Sequence, residues 1–427
     1  MSFADHYLSK QQTATCFPFE KPSRDLKYSI VIPCYNEDRL LVTLDSVWNC
    51  QRPESDTEVV VVVNSSETDT PDVINQNLKT IEDFETWKDA HADPAIKFHL
   101  LHFQGIRKKY AGAGMARKTG MDFAVHRFNA INQKEGIIIS LDADCTCDEN
   151  YLVEIESTFA KNEKADCAIL YFEHPVAGDD FRSEIYSGII QYELHLRYHI
   201  EFLRFIKYPY AYHTLGSCFA VGADTYVRQG GMNRKKAGED FYFLQKIFTT
   251  GNTIEINQTR ICPSPRPSLR VPFGTGPVIH KMVTGNNIIL ETFNPQAYLD
   301  LRRFLEMIPQ FYRIKQSTFH PLFRKLPGSV REFLINRNLE QKLDEVNQNT
   351  ANYKSFVKRF YNWFNGFMVV KYLNTSHQKH YIEISVERAA VTLLKNSGVK
   401  ADSGMGVLEL LQIYREIQRS RNYLTPL

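Results

Sequence analysis

The stretch "EVVVVVNSSETDTPDVINQNL", residues 58–78, runs five valines together and then turns polar. Five β-branched apolar residues in succession do not suit a strand with one wet face, where apolar and polar residues alternate. They suit a parallel strand covered on both sides. After the valines come a loop of Asn, Ser, Thr and Asp, then Pro71 and residues at helical spacing.

The same strand, loop and helix order precedes it in "YSIVIPCYNEDRLLVTLDSVWNC", residues 28–50, where Leu40, Leu41, Leu44 and Val47 share a helical face. It continues with "PAIKFHLLHF" as a third strand, "GAGMARKTGMDFAVHRF" as a helix opened by glycines and "EGIIISLDAD" as a fourth strand. Strands alternating with helices imply a parallel, doubly wound α/β sheet. In such sheets ligands lie beyond the carboxyl ends of the strands, so the loops 33–37, 64–69 and 142–144 are expected to converge on one cleft. Beyond about residue 285, four stretches carry apolar residues at three- and four-residue spacing, which predicts a mainly helical C-terminal region. The expected division is an N-terminal extension over 1–27, an α/β domain over 28–284 and a helical region over 285–427.

The fourth strand ends on Asp142 and Asp144, separated by one alanine. Two close carboxylates repel unless a cation or proton lies between them. Hard divalent ions such as Mg²⁺ and Mn²⁺ prefer oxygen ligands and also hold phosphates. The alternative is that both are ordinary strand-end residues.

Composition narrows the class. The chain has 427 residues, 43% hydrophobic and 23% charged, with a formal net charge of +2. That balance suits a globular protein of two or three domains and argues against general electrostatic nucleic-acid binding. The N-terminal residues lack the apolar core of a signal peptide and no run of about 18 apolar residues occurs, so a cytoplasmic location is expected. The eight cysteines are scattered and match no zinc spacing.

These landmarks together resemble the family 2 glycosyltransferases of GT-A fold. The matching pieces are "SIVIPCYNE", "VVVVVNSSETDT", "GAGMARKTGMDFA", "LDADC" as the DxD motif and "GSCFAVGADTYVRQGGMNRKKAGEDFYF", in that order over about residues 28–250. The resemblance implies an inverting, metal-dependent transfer of a sugar from a nucleotide-sugar donor to a saccharide or lipid-linked acceptor, with Mn²⁺ or Mg²⁺ as cofactor. It implies Asp144 as metal ligand, with Asp142 as a second ligand or a neighbour of the ribose. It implies Asp240 as base, with Glu239 the nearby alternative, whereas adjacent carboxylates at a helix start are otherwise routine dipole partners. Pro33, Tyr35 and Glu37 resemble nucleoside-holding positions. Asn64 and Ser65 stand where members carry two aspartates, a departure that leaves the base open. Arg117 resembles a residue near the nucleotide or diphosphate, and a guanidinium can fork around phosphate oxygens.

Outside the matched motifs, "SPRPSLRVPFGTGPVIHKM", residues 264–282, reads as a loop closing over a diphosphate, with Arg266 and Arg270 matching its charge. His280 is a further metal ligand or a structural histidine. The acceptor is expected near Tyr212, His213 and Gly216, and Tyr192, Tyr198, Tyr208 and Tyr210 offer either sugar-stacking rings or core packing. "RFYNWFNGFMVVKYL" either touches a membrane surface or is a buried helix. Competing readings are a sugar-phosphate nucleotidyltransferase, whose glycine-rich basic loop is missing after the first strand, and a non-catalytic nucleotide-sugar-binding partner, which has no need of four carboxylates. A dinucleotide-binding dehydrogenase is disfavoured because G-x-G-x-x-G does not follow the first strand.

Overall fold

The computed structural model describes residues 2–11, 20–233, 238–285, 289–402 and 404–421. Its described residues cluster into two compact units. One comprises the chain up to Pro175, Thr214–Pro277 and residues 418–421; the other comprises Val176–His213 and Val278–Ile417.

The first unit is built on an eight-stranded sheet. Its strands are β1 (Leu26–Cys34), β2 (Asp56–Ser66), β3 (Ile96–Ile106), β4 (Ile137–Ser140), β5 (Thr146–Cys147), β6 (Cys167–Phe172), β7 (Phe219–Gly222) and β8 (Thr253–Cys262). They lie in the order β3-β2-β1-β4-β7-β6-β8-β5. The first four run parallel, as expected from the sequence. β7 runs antiparallel to both β4 and β6, and β5 antiparallel to β8, so the sheet is mixed rather than wholly parallel.

The five valines of β2 are fully buried, as a strand covered on both faces must be. Covering one face is the helix Ala113–Ala130, most of whose residues are themselves buried. It comes so near the sheet that a Cβ on Gly120 would lie 2.4 Å from Val31 Cγ1 and 3.0 Å from Val62 Cγ2. At its far end Arg127 pairs with Glu58 at the start of β2, both buried.

Register then fixes what meets at the carboxyl ends. Val31 pairs with Ser140 and Cys34 with Val63, so the residues after β1, β2 and β4 emerge side by side. Because β7 is antiparallel, with Phe219 opposite Ser140, it is the segment entering β7 that joins them.

The second unit is helical apart from a short ladder of Glu291–Thr292 with Ile384–Ser385. The apolar spacing over 329–348 predicts one helix; the structure has two, Gly328–Ile335 and Leu339–Gln348, separated where Asn338 takes a left-handed φ of 51°. Similarly 353–373 divides into Tyr353–Trp363 and a helix starting at Gly366, whose N–H groups at Phe367 and Met368 are capped by the Asn365 side chain. Of the stretch read as a loop over 264–282, the part from Thr275 is helical, Thr275–Thr284. Among the described residues no helix is long and apolar enough to cross a membrane.

The Gly120 contact yields a direct test. Gly120→Val would gain a little helix propensity but drive branched methyls into Val31 and Val62, and overpacking of this kind costs about 1–3 kcal/mol. A net loss of about 2 kcal/mol is expected, read as a lower urea midpoint for the α/β unit; an unchanged midpoint would mean that the helix can lift off the sheet.

Candidate active site

Glu37 follows β1 and is only 2% exposed, a position no carboxylate holds without partners. Its Oε1 accepts from the Arg39 backbone N–H at 3.0 Å and from Arg266 Nη1 at 2.9 Å, while Oε2 accepts from Arg266 Nη2 and, at 3.4 Å, Arg270 Nη1. Next to it Asn36 takes a left-handed φ of 49°, its N–H donating to Asn77 Oδ1 at 2.8 Å. The Tyr35 hydroxyl donates to Asp69 Oδ1 at 3.0 Å, and Asp69 Oδ2 accepts from the Ser66 N–H at 2.7 Å. Burial and the Asp69 carboxylate push the Tyr35 phenol up to about 12. Pro33 is half-buried in β1.

Asn64 is fully buried at the end of β2. Its side chain makes a two-way clamp on Gly112, accepting from the N–H at 3.2 Å and donating to the carbonyl at 3.5 Å. Gly112 has φ 139°, a conformation that favours glycine, and directly precedes the helix Ala113–Ala130. Asn64, a residue expected on the donor side, thus anchors the glycine loop.

That helix delivers Arg117, 3% exposed, to the centre of the site. Nη1 donates to Ser140 Oγ at 2.8 Å, Asp142 Oδ1 at 3.0 Å and the Gly216 carbonyl at 3.0 Å. Nη2 reaches Asp142 Oδ1 at 3.0 Å and Nε reaches Glu239 Oε1 at 3.4 Å. Ser140 Oγ closes the ring by donating to the Gly216 carbonyl at 2.6 Å. Burial opposes the charge of Arg117, but Asp142, Glu239 and Asp240 together hold its pKa above the usual guanidinium value. The resemblance implies a place near the nucleotide or diphosphate; in the structure the fork grips Asp142.

Glu239 and Asp240 open the helix Glu239–Phe248 after Gly238, which has φ 70°. Asp240 Oδ1 accepts from the Phe241 N–H at 2.7 Å. A Cβ on Gly216 would stand 3.0 Å from Asp240 Oδ2 and 2.6 Å from Arg117 Nη2, so Gly216 is the point at which the β7 entry, the arginine and the carboxylate meet. Burial and the adjacent Glu239 push the Asp240 carboxyl up to about 7, against the pull of Arg117 and the Phe241 N–H.

Asp142 and Asp144 flank buried Ala143, whose carbonyl accepts from Thr43 Oγ1 at 2.9 Å. Their side chains are 36% and 23% exposed, open enough to meet a ligand. Burial pushes the Asp144 carboxyl up to about 6, offset in part by Arg266 and reinforced by Asp142 and Glu37. Arg266 Nη2 lies 3.1 Å from Asp144 Oδ2, and Arg270 Nη2 4.0 Å from it, while Arg270 Nη1 donates to the Tyr35 carbonyl at 2.8 Å.

The set therefore holds five carboxylates, Glu37, Asp142, Asp144, Glu239 and Asp240, against three guanidiniums. Oxygen-only donors with an excess of negative charge and raised carboxyl pKa values fit a hard divalent cation held jointly with a ligand's own oxygens. Among the described residues no three His, Cys, Asp or Glu side chains are grouped so as to form a metal cage by themselves. His280, on the helix Thr275–Thr284, clusters with the second unit, and its carbonyl accepts from Thr284 Oγ1 at 2.8 Å. Tyr212 and His213 are buried residues of that same unit. Tyr198, Tyr208 and Tyr210 are buried there too, with the Tyr198 hydroxyl on the Phe293 carbonyl and the Tyr208 hydroxyl on the Phe364 carbonyl, which is core packing. Residues 234–237, just before the Glu-Asp pair, lie outside the described residues. Two residues that sequence reasoning did not single out, Asp69 and Ser140, complete the constellation; the one signal for Ser140 is a lone hydroxyl ending an apolar strand.

No curated protein matches the sequence of this chain. Among solved structures it resembles S. aureus TarS 1-349 in complex with UDP, at 13% identity over 77% of this chain and 93% of that one, with a TM-score of 0.41. The same protein with UDP-GlcNAc aligns at 12% identity over 92% and 91% of the two chains, TM-score 0.39. A mannosyltransferase, PcManGT from Pyrobaculum calidifontis in complex with GDP-Man and Mn²⁺, aligns at 15% identity over 97% and 93%, TM-score 0.35. The model of glycosyl transferase family 2 matches residues 29–228, from the second residue of the "YSIVIP" strand through the helix after β7. The fold expected of that family, a GT-A type α/β sheet accompanied by a helical C-terminal region, is the one this chain adopts. The chain that carries this match over residues 29–228 is a glycosyltransferase.

Proposed function

We propose that the chain moves a sugar from a nucleotide-sugar donor to a hydroxyl of a saccharide or lipid-linked acceptor, inverting the anomeric centre with help from Mn²⁺ or Mg²⁺, within the domain over residues 28–284. The observation that carries this is the Arg117 node. One buried guanidinium ties Asp142 of the DxD loop to Glu239 beside Asp240, so donor-side and base-side carboxylates belong to one polar cluster.

In this reading Asp142 and Asp144 would hold the cation, which supplies charge stabilisation for the departing diphosphate. Asp240 accepts the acceptor's hydroxyl proton at a carboxylate oxygen as the new C1–O bond forms and the bond from C1 to phosphate oxygen breaks. Glu239 adjoins it and keeps it basic enough for the task. Arg117 fixes both ends, while Tyr35 and Glu37 line the nucleoside side, with Pro33 behind them in β1. Arg266 and Arg270 provide positive charge for phosphate oxygens. Tyr212, His213 and Gly216 are the acceptor-side candidates, and His280 remains a candidate for the metal. A cytoplasmic location at the inner face of a membrane would suit a lipid-linked acceptor.

Donor binding is tested by thermal shift with UDP, GDP, CDP and dTDP, each with and without Mn²⁺, because a ligand of the native state raises its apparent stability. One nucleotide should stabilise the protein only with metal, and Asp144→Asn should abolish that shift; no shift with any nucleotide would overturn the donor-site reading.

Catalysis is tested through Asp240. Its base form is lost below about pH 7, so kcat/KM should fall as pH drops through that value, tenfold per unit. Asp240→Asn should lower transfer by about 10²–10⁴-fold with nucleotide binding retained. Removing the neighbouring negative charge with Glu239→Gln should move the acid limb to lower pH; a limb that stays in place would mean another group titrates.

Gly216→Ala places a methyl against Arg117 Nη2 and Asp240 Oδ2. Transfer should fall by at least about tenfold, since small displacements of reacting groups have such effects, while nucleotide-dependent thermal stabilisation persists. Wild-type rates in this variant would separate the Arg117 node from catalysis.

A further inference from the structure

The segment after β8, "PSPRPSLRVPFG" over residues 263–274, carries four prolines and two arginines. Its arginines turn inward onto the site. Arg266 spans Glu37 with both terminal nitrogens, and its Nη2 also lies 3.1 Å from Asp144 Oδ2. Its Nε is buried without a partner, so one donor of the fork remains unused in this arrangement. Arg270 adds a weaker contact, 4.0 Å from the same Asp144 oxygen. Pro263 and Pro265 at the start of the segment are buried, but further along Leu269 is 69% exposed and Phe273 58%. Beyond Pro265 the inward arginines tie the segment to the carboxylates of the site.

A guanidinium on Asp144 and a divalent ion on Asp144 are like charges sharing one carboxylate, and like charges at that range in a part-buried site repel strongly. A nucleoside diphosphate changes the balance, because its oxygens give the cation further ligands and give arginine a bidentate partner of its own. We infer that Arg266 is a stand-in cation: it and the divalent ion exclude each other from Asp144, so the ion enters with the nucleoside diphosphate, whose oxygens take the arginine in exchange. The strap over 263–274 thereby shifts from holding carboxylates to holding phosphate. This rests on reading Asp144 as a metal ligand. It adds an order of binding and a residue that enforces it.

The test is Mn²⁺ binding followed by electron paramagnetic resonance of the free ion, on wild type, Arg266→Ala, Arg270→Ala and Asp144→Asn. Each is measured alone and with the nucleoside diphosphate that stabilises the wild type. Wild type alone should bind Mn²⁺ weakly and gain at least tenfold in affinity with the nucleotide. Arg266→Ala alone should bind Mn²⁺ at least tenfold tighter than wild type alone, and Arg270→Ala less than threefold tighter. Should Arg266→Ala fail to fold, Arg266→Gln carries the same comparison. An Arg266 variant that binds the bare ion no tighter than wild type overturns the inference while leaving the metal site standing. If no protein binds Mn²⁺ with any nucleotide, or Asp144→Asn binds as well as wild type, it is the metal reading that fails.

Discussion

Arg117 is buried, and a buried guanidinium is tolerable only if every direction of its fork meets an oxygen. Here the oxygens come from the end of β4, the loop after it, the entry to β7 and the start of the helix Glu239–Phe248. Each is distant in sequence, and each would be a misplaced polar group without the arginine. Removing one member of such a buried pair typically costs about 3–5 kcal/mol because the other is left unpaired. The geometry of the site and the stability of the strand ends are in this sense the same interaction.

The asymmetry around that node accounts for the electrostatics. Arg117 holds Asp142 and approaches Glu239 but reaches neither Asp144 nor the outer oxygen of Asp240, and these two keep carboxyl groups pushed upward by burial. One side of the site is thereby suited to gaining a proton, the other to gaining a positive charge. The arginines at 266 and 270 serve the second side, and because they approach from a proline-rich segment with exposed apolar residues, their grip is of a kind that a competing ligand can break.

Much of this is legible in the sequence. The valine run announces a strand buried on both faces, and the strand-loop-helix order places three loops at one edge; register does the rest. The DxD and Glu-Asp carboxylates are visible as motifs. What stays hidden is the partners. The amide of Asn64 satisfies both backbone groups of Gly112, 48 residues on, and nothing around Asn64 in the sequence names that partner. Nothing in the helix of Arg117 says that the carbonyl of Gly216, 99 residues away, meets its guanidinium. The breaks in the C-terminal helices escape notice because left-handed Asn338 and capping Asn365 interrupt apolar spacing without altering it. Local patterns report burial; they do not report which distant group supplies a hydrogen bond.

The pairing of β6 with β7 has a consequence for how the site is held in place. Cys167 pairs with Val221 and Ile169 with Phe219, so the polypeptide leaves one strand and returns on its immediate neighbour after an excursion that clusters with the helical unit. The two ends of that excursion are held by the sheet itself. The register that delivers Gly216 to Arg117 is therefore set by the sheet and not by the length of chain between the two strands.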